Sequence, residues 1–202
     1  MIRNIVFDVG MVIAEWKPLE WMTRRYGREK GEAIWRATVE SPFWRENIDL
    51  GYLSEKEILE ASAAACPELA REIRELDGEW YGIFRPIPGT GELAERLGKA
   101  GFHLYYLSNF PREAFCYLRE RYPAFRPMEG GVASWEVHCC KPDPAIYRAL
   151  LEKYRLVPGE TVFADDVAAN VEAAREQGIV AHQFTTAEEF AAYLKGELGL
   201  SF

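Results

Sequence analysis

The strongest constraint in the sequence is a recurring unit: a short apolar run ending on a polar residue, followed by a segment of helical length. Ile5 to Asp8 is such a run, and Gly10 follows it as a turn signal. His103 to Leu107 ends in Ser108-Asn109, Thr161 to Ala164 ends in Asp165-Asp166, and Ile179-Val180-Ala181 forms a last short run. Gly131 to Trp135 reads as one more short strand. Helical patterns stand between the runs. They cover Leu93, Leu97 and Ala100 up to Gly101, then about Arg112 to Tyr122, Pro144 to Tyr154, about Ala168 to Gln177, and about Ala187 to Leu198. Strands separated in this way are joined by crossovers rather than hairpins, which predicts βαβ units and a parallel sheet covered on both faces.

One stretch breaks the alternation. From Pro18 to Trp80 no comparable strand occurs. Leu19, Met22 and Tyr26, then Ala33, Trp35 and Ala37, then Ile58, Leu59, Ala61 and Ala65 recur near the helical period. Ser54 followed by Glu57 reads as a capping box opening a helix. The predicted fold class is therefore α/β: a doubly wound parallel sheet with a small helical domain inserted after its first strand. The boundaries fall at residues 1–15 and 85–202 for the sheet domain and 16–84 for the insertion. Trp21, Trp35, Trp44, Trp80 and Tyr81 crowd into the insertion and predict its core and its contact with the sheet domain. Trp16 and Arg85-Pro86 mark the two crossings between the parts.

Composition narrows the function classes. The 202 residues are 49% hydrophobic and 28% charged, a globular balance with no low-complexity segment. With 24 basic against 32 acidic residues the net charge is -8, which argues against a surface that neutralises nucleic-acid phosphates or sits on anionic lipid. No apolar stretch approaches the roughly 20 residues needed to span a bilayer. The early residues lack an apolar core ahead of a cleavage site, so a cytoplasmic location is expected. Cys66, Cys116, Cys139 and Cys140 have neither disulfide-framework nor zinc-ribbon spacing, and His103, His138 and His182 are scattered. Reduced, packed thiols are expected, with a redox role for Cys139-Cys140 ranked below packing.

In an open parallel sheet, ligands bind beyond the carboxyl ends of the strands. The residues at those ends are Asp8, Ser108-Asn109, Lys141 after the less distinct strand, and Asp165-Asp166. Singly they are ordinary: Asp and Ser-Asn form turns, Lys-Pro is a common surface pair, and Asp-Asp can cap a helix. Converging on one rim, they describe a site for phosphoryl transfer. A carboxylate can attack phosphorus and split one displacement into two easier steps. Clustered carboxylates and a phosphate repel, so a divalent cation is implied, and Mg²⁺ suits hard oxygen ligands and few carboxylates. Lys141 supplies fixed positive charge and Ser108 a hydrogen-bond donor for the phosphoryl oxygens.

These residues resemble a family. Phe7-Asp8-Val9-Gly10-Met11-Val12, Leu107-Ser108-Asn109, Lys141-Pro142 and Phe163-Ala164-Asp165-Asp166 with Asn170 look like the four ordered motifs of the haloacid dehalogenase superfamily. The insertion at 16–84 is similar to the cap that its first cap class carries, with Gly51-Tyr52-Leu53-Ser54 resembling a turn between cap helices. Within the superfamily the first motif is most similar to that of bacterial sugar-1-phosphate phosphatases, of the alpha-D-glucose-1-phosphate phosphatase type, and Arg112 also resembles that subgroup. The resemblance implies an Mg²⁺-dependent hydrolase of small phosphorylated metabolites. It implies Asp8 as nucleophile and metal ligand, Gly10 as a ligand through its carbonyl, and Asp166 as a metal ligand. Asp165 would either touch the metal or stand behind the residue that does. Ser108, Asn109 and Lys141 would bind the phosphoryl group, with Arg112 a candidate for another polar group of the substrate.

One position departs from the family. Most of its phosphatases carry an Asp two residues after the nucleophile to protonate the leaving alcohol, a contribution of roughly 10²- to 10⁴-fold, and here that position is Gly10. Three readings follow. The chain is a phosphatase whose leaving group needs little protonation, as the anomeric hydroxyl of a sugar 1-phosphate does, with Glu15 or a bound water as a substitute donor. Alternatively it is a 2-haloacid dehalogenase, whose halide needs no proton but whose metal-free chemistry leaves Asp165-Asp166 unexplained. Or it is a catalytically silent module that binds phosphate esters.

Overall fold

The computed structural model describes residues 1–202 apart from the side chain of Trp80, so the place expected for that tryptophan lies outside the described residues. The chain opens with β1 (Asn4–Phe7), buried along its whole length. A two-residue strand, β2 (Ala14–Glu15), leads into α1 (Pro18–Tyr26), α2 (Arg28–Ala37), α3 (Pro42–Ile48), α4 (Glu55–Ala65) and α5 (Ala70–Arg74), and β3 (Arg85–Pro86) leads out. There follow α6 (Thr90–Lys99), β4 (His103–Ser108), α7 (Arg112–Arg121), β5 (Met128–Ala133), α8 (Ser134–Val137) and α9 (Pro144–Tyr154). The last elements are β6 (Thr161–Asp165), α10 (Ala168–Glu176), β7 (Val180–Gln183) and α11 (Ala187–Gly196).

The main sheet is parallel, in the order β5-β4-β1-β6-β7, so the fold is the predicted doubly wound α/β arrangement. The chain winds outward from β1 through β4 to β5, then crosses back to β6 and β7. The connections therefore diverge on either side of β1, which is where such sheets place their ligands. Alternation along β1 explains the two layers of helices. Ile5 and Phe7 join one apolar cluster with Leu97, Phe115 and Phe190, while Val6 joins the other with Ile146, Tyr147 and Val171. A third cluster, including Met22, Ile34, Trp44, Ile58 and Ile73, lies wholly within the inserted helices.

Local sequence sets the element ends. Pro18, Pro42 and Pro144 open their helices, where a missing N–H costs nothing. Ser54 and Glu57 form the expected capping box at α4. Two strands differ from expectation. β5 begins at Met128 instead of Gly131 and stops before Ser134-Trp135, which open α8. Met-Glu-Gly-Gly carries little strand propensity, but Gly131 is demanded by packing: a Cβ there would lie 2.2 Å from the Tyr106 carbonyl oxygen. The last strand runs from Val180 to Gln183, one residue later than its apolar run suggests.

Several contacts among the described residues tie the insertion to the sheet domain, including Tyr81 stacked on Tyr117 of α7 with ring centroids 5.1 Å apart. β2 and β3, the two crossings, pair antiparallel with Ala14 opposite Pro86 and Glu15 opposite Arg85. The turn after α3 lies against α8. Ser134 Oγ donates to the Asp49 carbonyl at 2.5 Å, and His138 Nδ1 lies 2.7 Å from the Leu50 carbonyl oxygen. Gly51 adopts φ 72° there, and a Cβ on it would approach Trp135 Cβ to 2.8 Å, so glycine answers both the backbone and the close approach.

Candidate active site

Phe7 is in register with Tyr106 of β4 and Ala164 of β6, so Asp8, Ser108 and Asp165 all emerge at one edge of the sheet. Lys141 reaches the same point differently. It does not follow a strand directly, as the sequence pattern suggests, but comes in on the loop between α8 and α9. Asn109 holds that loop: its side-chain amide donates to the Lys141 carbonyl at 2.9 Å and accepts from the Lys141 N–H at 2.7 Å.

The Lys141 ammonium lies at the centre of the site. It is 2.8 Å from Asp8 Oδ1 and 2.6 Å from Asp165 Oδ2, and it donates to the Leu107 carbonyl at 2.9 Å. The Lys141 side chain is 1% exposed, that of Asp8 10% and that of Asp165 0%. Burial works against the lysine charge, but Asp8 and Asp165 outweigh it and hold its pKa above the usual value. Burial pushes the Asp8 carboxyl up to about 6, with Lys141 opposing and Asp165 adding to the rise. The Val9 N–H also donates to Asp8 Oδ1 at 2.6 Å, which fixes the carboxylate plane.

Asp165 and Asp166, adjacent in sequence, have different surroundings. Both Asp165 oxygens are engaged: Oδ1 accepts from the Val167 N–H and Asn170 Nδ2, and Oδ2 from Lys141 and Asn170 Nδ2. Asp165 therefore orients Lys141. Asp166 is half-buried, and burial followed by the Asp165 charge raises its pKa. Asp8, Asp165 and Asp166 each offer a carboxylate oxygen, all within 4.8 Å of one another. Three carboxylates against one ammonium leave a local excess of negative charge, and hard oxygen donors of this kind fit Mg²⁺. With Asp165 saturated, Asp8 and Asp166 are the carboxylates left for a cation.

The remaining expected residues divide. Ser108 Oγ is buried beside Asp8, whose charged form it favours as a hydrogen-bond donor, and it makes no closer hydrogen bond among the described residues, so it can turn to a bound group. Gly10 lines a cavity of about 220 Å³ between the sheet and the inserted helices, which Asn109 also lines. Arg112 is exposed, its guanidinium lies 5.4 Å from the centre of the Trp135 ring, and it does not line that cavity. Glu15 is paired with Lys17 at 2.5 Å in a separate surface recess, away from Gly10. Cys139 and Cys140 are both free, and burial pushes the Cys140 thiol up to about 11, against thiolate chemistry.

Sequence reasoning missed Asp49. It lines the same cavity as Gly10, and burial raises its carboxyl to about 7 despite the opposing charge of Arg45. The available signal was its position just ahead of the Gly51 turn.

With this geometry in place, comparison with known proteins is direct. Residues 11–178 match the haloacid dehalogenase-like hydrolase family. The chain belongs to that family. A sesquiterpene phosphatase of Aspergillus oryzae is 27% identical over 183 residues, covering 91% of this chain and 90% of the relative. A D-ribitol-5-phosphate phosphatase of Bacteroides thetaiotaomicron is 27% identical over 194 residues, covering 91% and 92%. Among solved structures, a family enzyme from Bacteroides thetaiotaomicron in complex with magnesium and inorganic phosphate superimposes with a TM-score of 0.74 at 19% identity, over 92% of this chain and 96% of that one.

Proposed function

We propose that this family member is a Mg²⁺-dependent phosphatase of small phosphomonoesters that works through an aspartyl-phosphate on Asp8, with residues 16–84 acting as a cap over the site. The observation that carries the reading is the buried Asp8–Lys141–Asp165 array with Asp166 and the buried Ser108 hydroxyl beside it. Two relatives named as phosphatases and a structural neighbour that binds magnesium and phosphate support it. Asp8, Asp166 and the Gly10 carbonyl would hold the metal, which when bound supplies the positive charge that lets a phosphate dianion approach a carboxylate.

The chain's own residues do the rest. Val9 N–H and Lys141 hold the Asp8 carboxylate in one orientation, and Asp165 with Asn170 holds Lys141. Asp8 attacks phosphorus, the bond from phosphorus to the ester oxygen breaks, and that oxygen leaves and takes a proton. Water then attacks phosphorus and breaks the bond to Asp8, restoring the carboxylate; the sum is ester plus water giving alcohol plus phosphate. Ser108 donates to the phosphoryl oxygens in both steps, and the Lys141 ammonium, its three N–H groups held by Asp8, Asp165 and the Leu107 carbonyl, offsets their charge from close by.

Gly10 supplies no proton, so the favoured leaving groups need little protonation. A sugar 1-phosphate of the kind used by the glucose-1-phosphate phosphatase subgroup meets that demand through its more acidic anomeric hydroxyl. Phosphate release from a panel of phosphorylated metabolites, with Mg²⁺ and with chelator, tests the reading: metal-dependent release that Asp8→Asn abolishes supports it, and metal-independent release sinks it. Gly10 also favours a second reading, the 2-haloacid dehalogenase, since halide leaves without a proton. Chloride release from 2-chloropropionate, with none of the phosphates turned over, would establish that alternative.

A further inference from the structure

The cavity lined by Gly10, two residues after Asp8, and by Asn109, next to Ser108, is placed to take the group attached to a phosphoryl at Asp8, and its walls are largely apolar. Trp16, Phe84 and Phe110 form a continuous aromatic wall, with ring centroids 6.1 Å apart for the first pair and 5.8 Å for the second. Val39, Trp44 and Ile48 face them from the insertion. The polar side chains lining the cavity are mostly committed elsewhere. Glu55 accepts from the Tyr81 hydroxyl and the Gly78 N–H, and both ends of the Asn109 amide are taken by the Lys141 backbone. Asp49 remains, with Arg45, whose guanidinium donates to the Glu40 carbonyl.

We propose that, among leaving groups that need little protonation, the site prefers an apolar aryl alcohol to a sugar, and that alkyl groups gain binding from the same apolar walls as they lengthen. The proposal rests on the phosphatase reading and deepens it. A sugar ring brings several hydroxyls, and each one buried without a partner costs about 1–3 kcal/mol by mutational measures. An alkyl or aryl group makes no such demand and gains from every methylene removed from water. The volume limits the occupant: about 220 Å³ falls below the roughly 300 Å³ at which pockets for drug-sized ligands begin. An aryl alcohol also satisfies Gly10, because a phenolate leaves with little need of a proton.

The test is kcat/KM across n-alkyl phosphates from methyl to octyl, with phenyl phosphate, glucose 1-phosphate and acetyl phosphate, all with Mg²⁺. Each added methylene is expected to raise kcat/KM about fourfold until the cavity is full, after which the rise stops. Phenyl phosphate should exceed glucose 1-phosphate by at least about tenfold, and Val39→Asp should flatten the chain-length dependence. A flat or falling series, or glucose 1-phosphate as the better substrate, overturns the proposal. Calorimetric titration of the same alkyl phosphates into the Asp8→Asn protein separates the two readings. Affinity that rises with chain length, in a protein whose wild type hydrolyses nothing, acetyl phosphate included, upholds the apolar pocket and sinks the phosphatase. Turnover of acetyl phosphate with no chain-length dependence in either assay does the reverse.

Discussion

Replacing Lys141 by Met, a side chain of similar length without charge, isolates what the ammonium does for the fold. In the wild type its contacts at 2.8 Å to Asp8 and 2.6 Å to Asp165 are each worth about 6 kcal/mol of gross attraction at an effective dielectric near 20. Most of that is spent on desolvating three buried charges, so the net loss on removing one partner is about 3–5 kcal/mol, the usual cost of leaving buried charge uncompensated. At about 2–4 °C per kcal/mol for a chain of this size, Lys141→Met should lower Tm by about 6–20 °C in chelator at neutral pH. The pH dependence has a definite sign. Without Lys141 the Asp8 carboxyl rises further above its unfolded value, so the folded state binds more protons than the unfolded one. Stability of the variant then falls as pH rises, and its deficit against the wild type shrinks in acid. Adding Asp165→Asn removes one of the stranded charges and should recover part of the loss. Thermal unfolding at pH 5 and pH 8 of the wild type, the single variant and the double variant decides it. A Tm loss below about 2 °C, or a deficit that does not change with pH, would refute the electrostatic account of the site.

Two other predictions follow from the same cavity. Gly10→Asp should fit, since a Cβ at Gly10 meets only Phe110 Cε2 at 3.9 Å, and it restores a proton donor two residues after the nucleophile. Turnover of alkyl phosphates should rise by roughly 10²-fold, the lower end for general acid help, while acetyl phosphate, whose leaving group needs no proton, changes little. Asp49→Asn should flatten the pH dependence of stability. Because burial raises the Asp49 carboxyl to about 7, its own contribution to stability is fullest in acid and is lost as pH rises to neutrality. The shift sets a ceiling of about 4 kcal/mol, and the partial exposure of the side chain brings the expected difference to about 1–2 kcal/mol, readable by urea unfolding between pH 4 and pH 8.

How legible each part was in the sequence follows from where its information resides. Asp8, Ser108 and Asp165 sit at the ends of β1, β4 and β6, so apolar runs that stop on a polar residue locate them once the sheet is known to be parallel. The helices were equally readable, because proline, the Ser54–Glu57 box and Gly101 punctuate them locally. β5 was harder: its Gly-Gly pair is selected by the Tyr106 carbonyl and the Tyr154 hydroxyl across the fold, a constraint no local pattern carries. The different surroundings of Asp165 and Asp166 were invisible for the same reason. Lys141, 24 residues away in sequence, joins Asn170 from the following helix in saturating Asp165, while Asp166 has neither contact. Arg112 is a substrate-ligand candidate from its spacing to Ser108, and in the fold its guanidinium lies over the Trp135 ring. Asp49 shows the converse: its one local signal is the Gly51 turn that follows it, and the docking of that turn against Ser134 and Trp135 brings it into the cavity with Gly10.

The central claim is that Asp8 attacks phosphorus. The most direct measurement is acid quenching of the Mg²⁺-loaded protein during turnover of phenyl phosphate, followed by mass spectrometry of the peptide that carries Asp8. The account predicts a phosphoryl group on Asp8 that hydroxylamine removes and that chelator prevents from forming. An unmodified Asp8 during sustained phosphate release, or an Asp8 ester formed from 2-chloropropionate in a protein that never becomes phosphorylated, would contradict it.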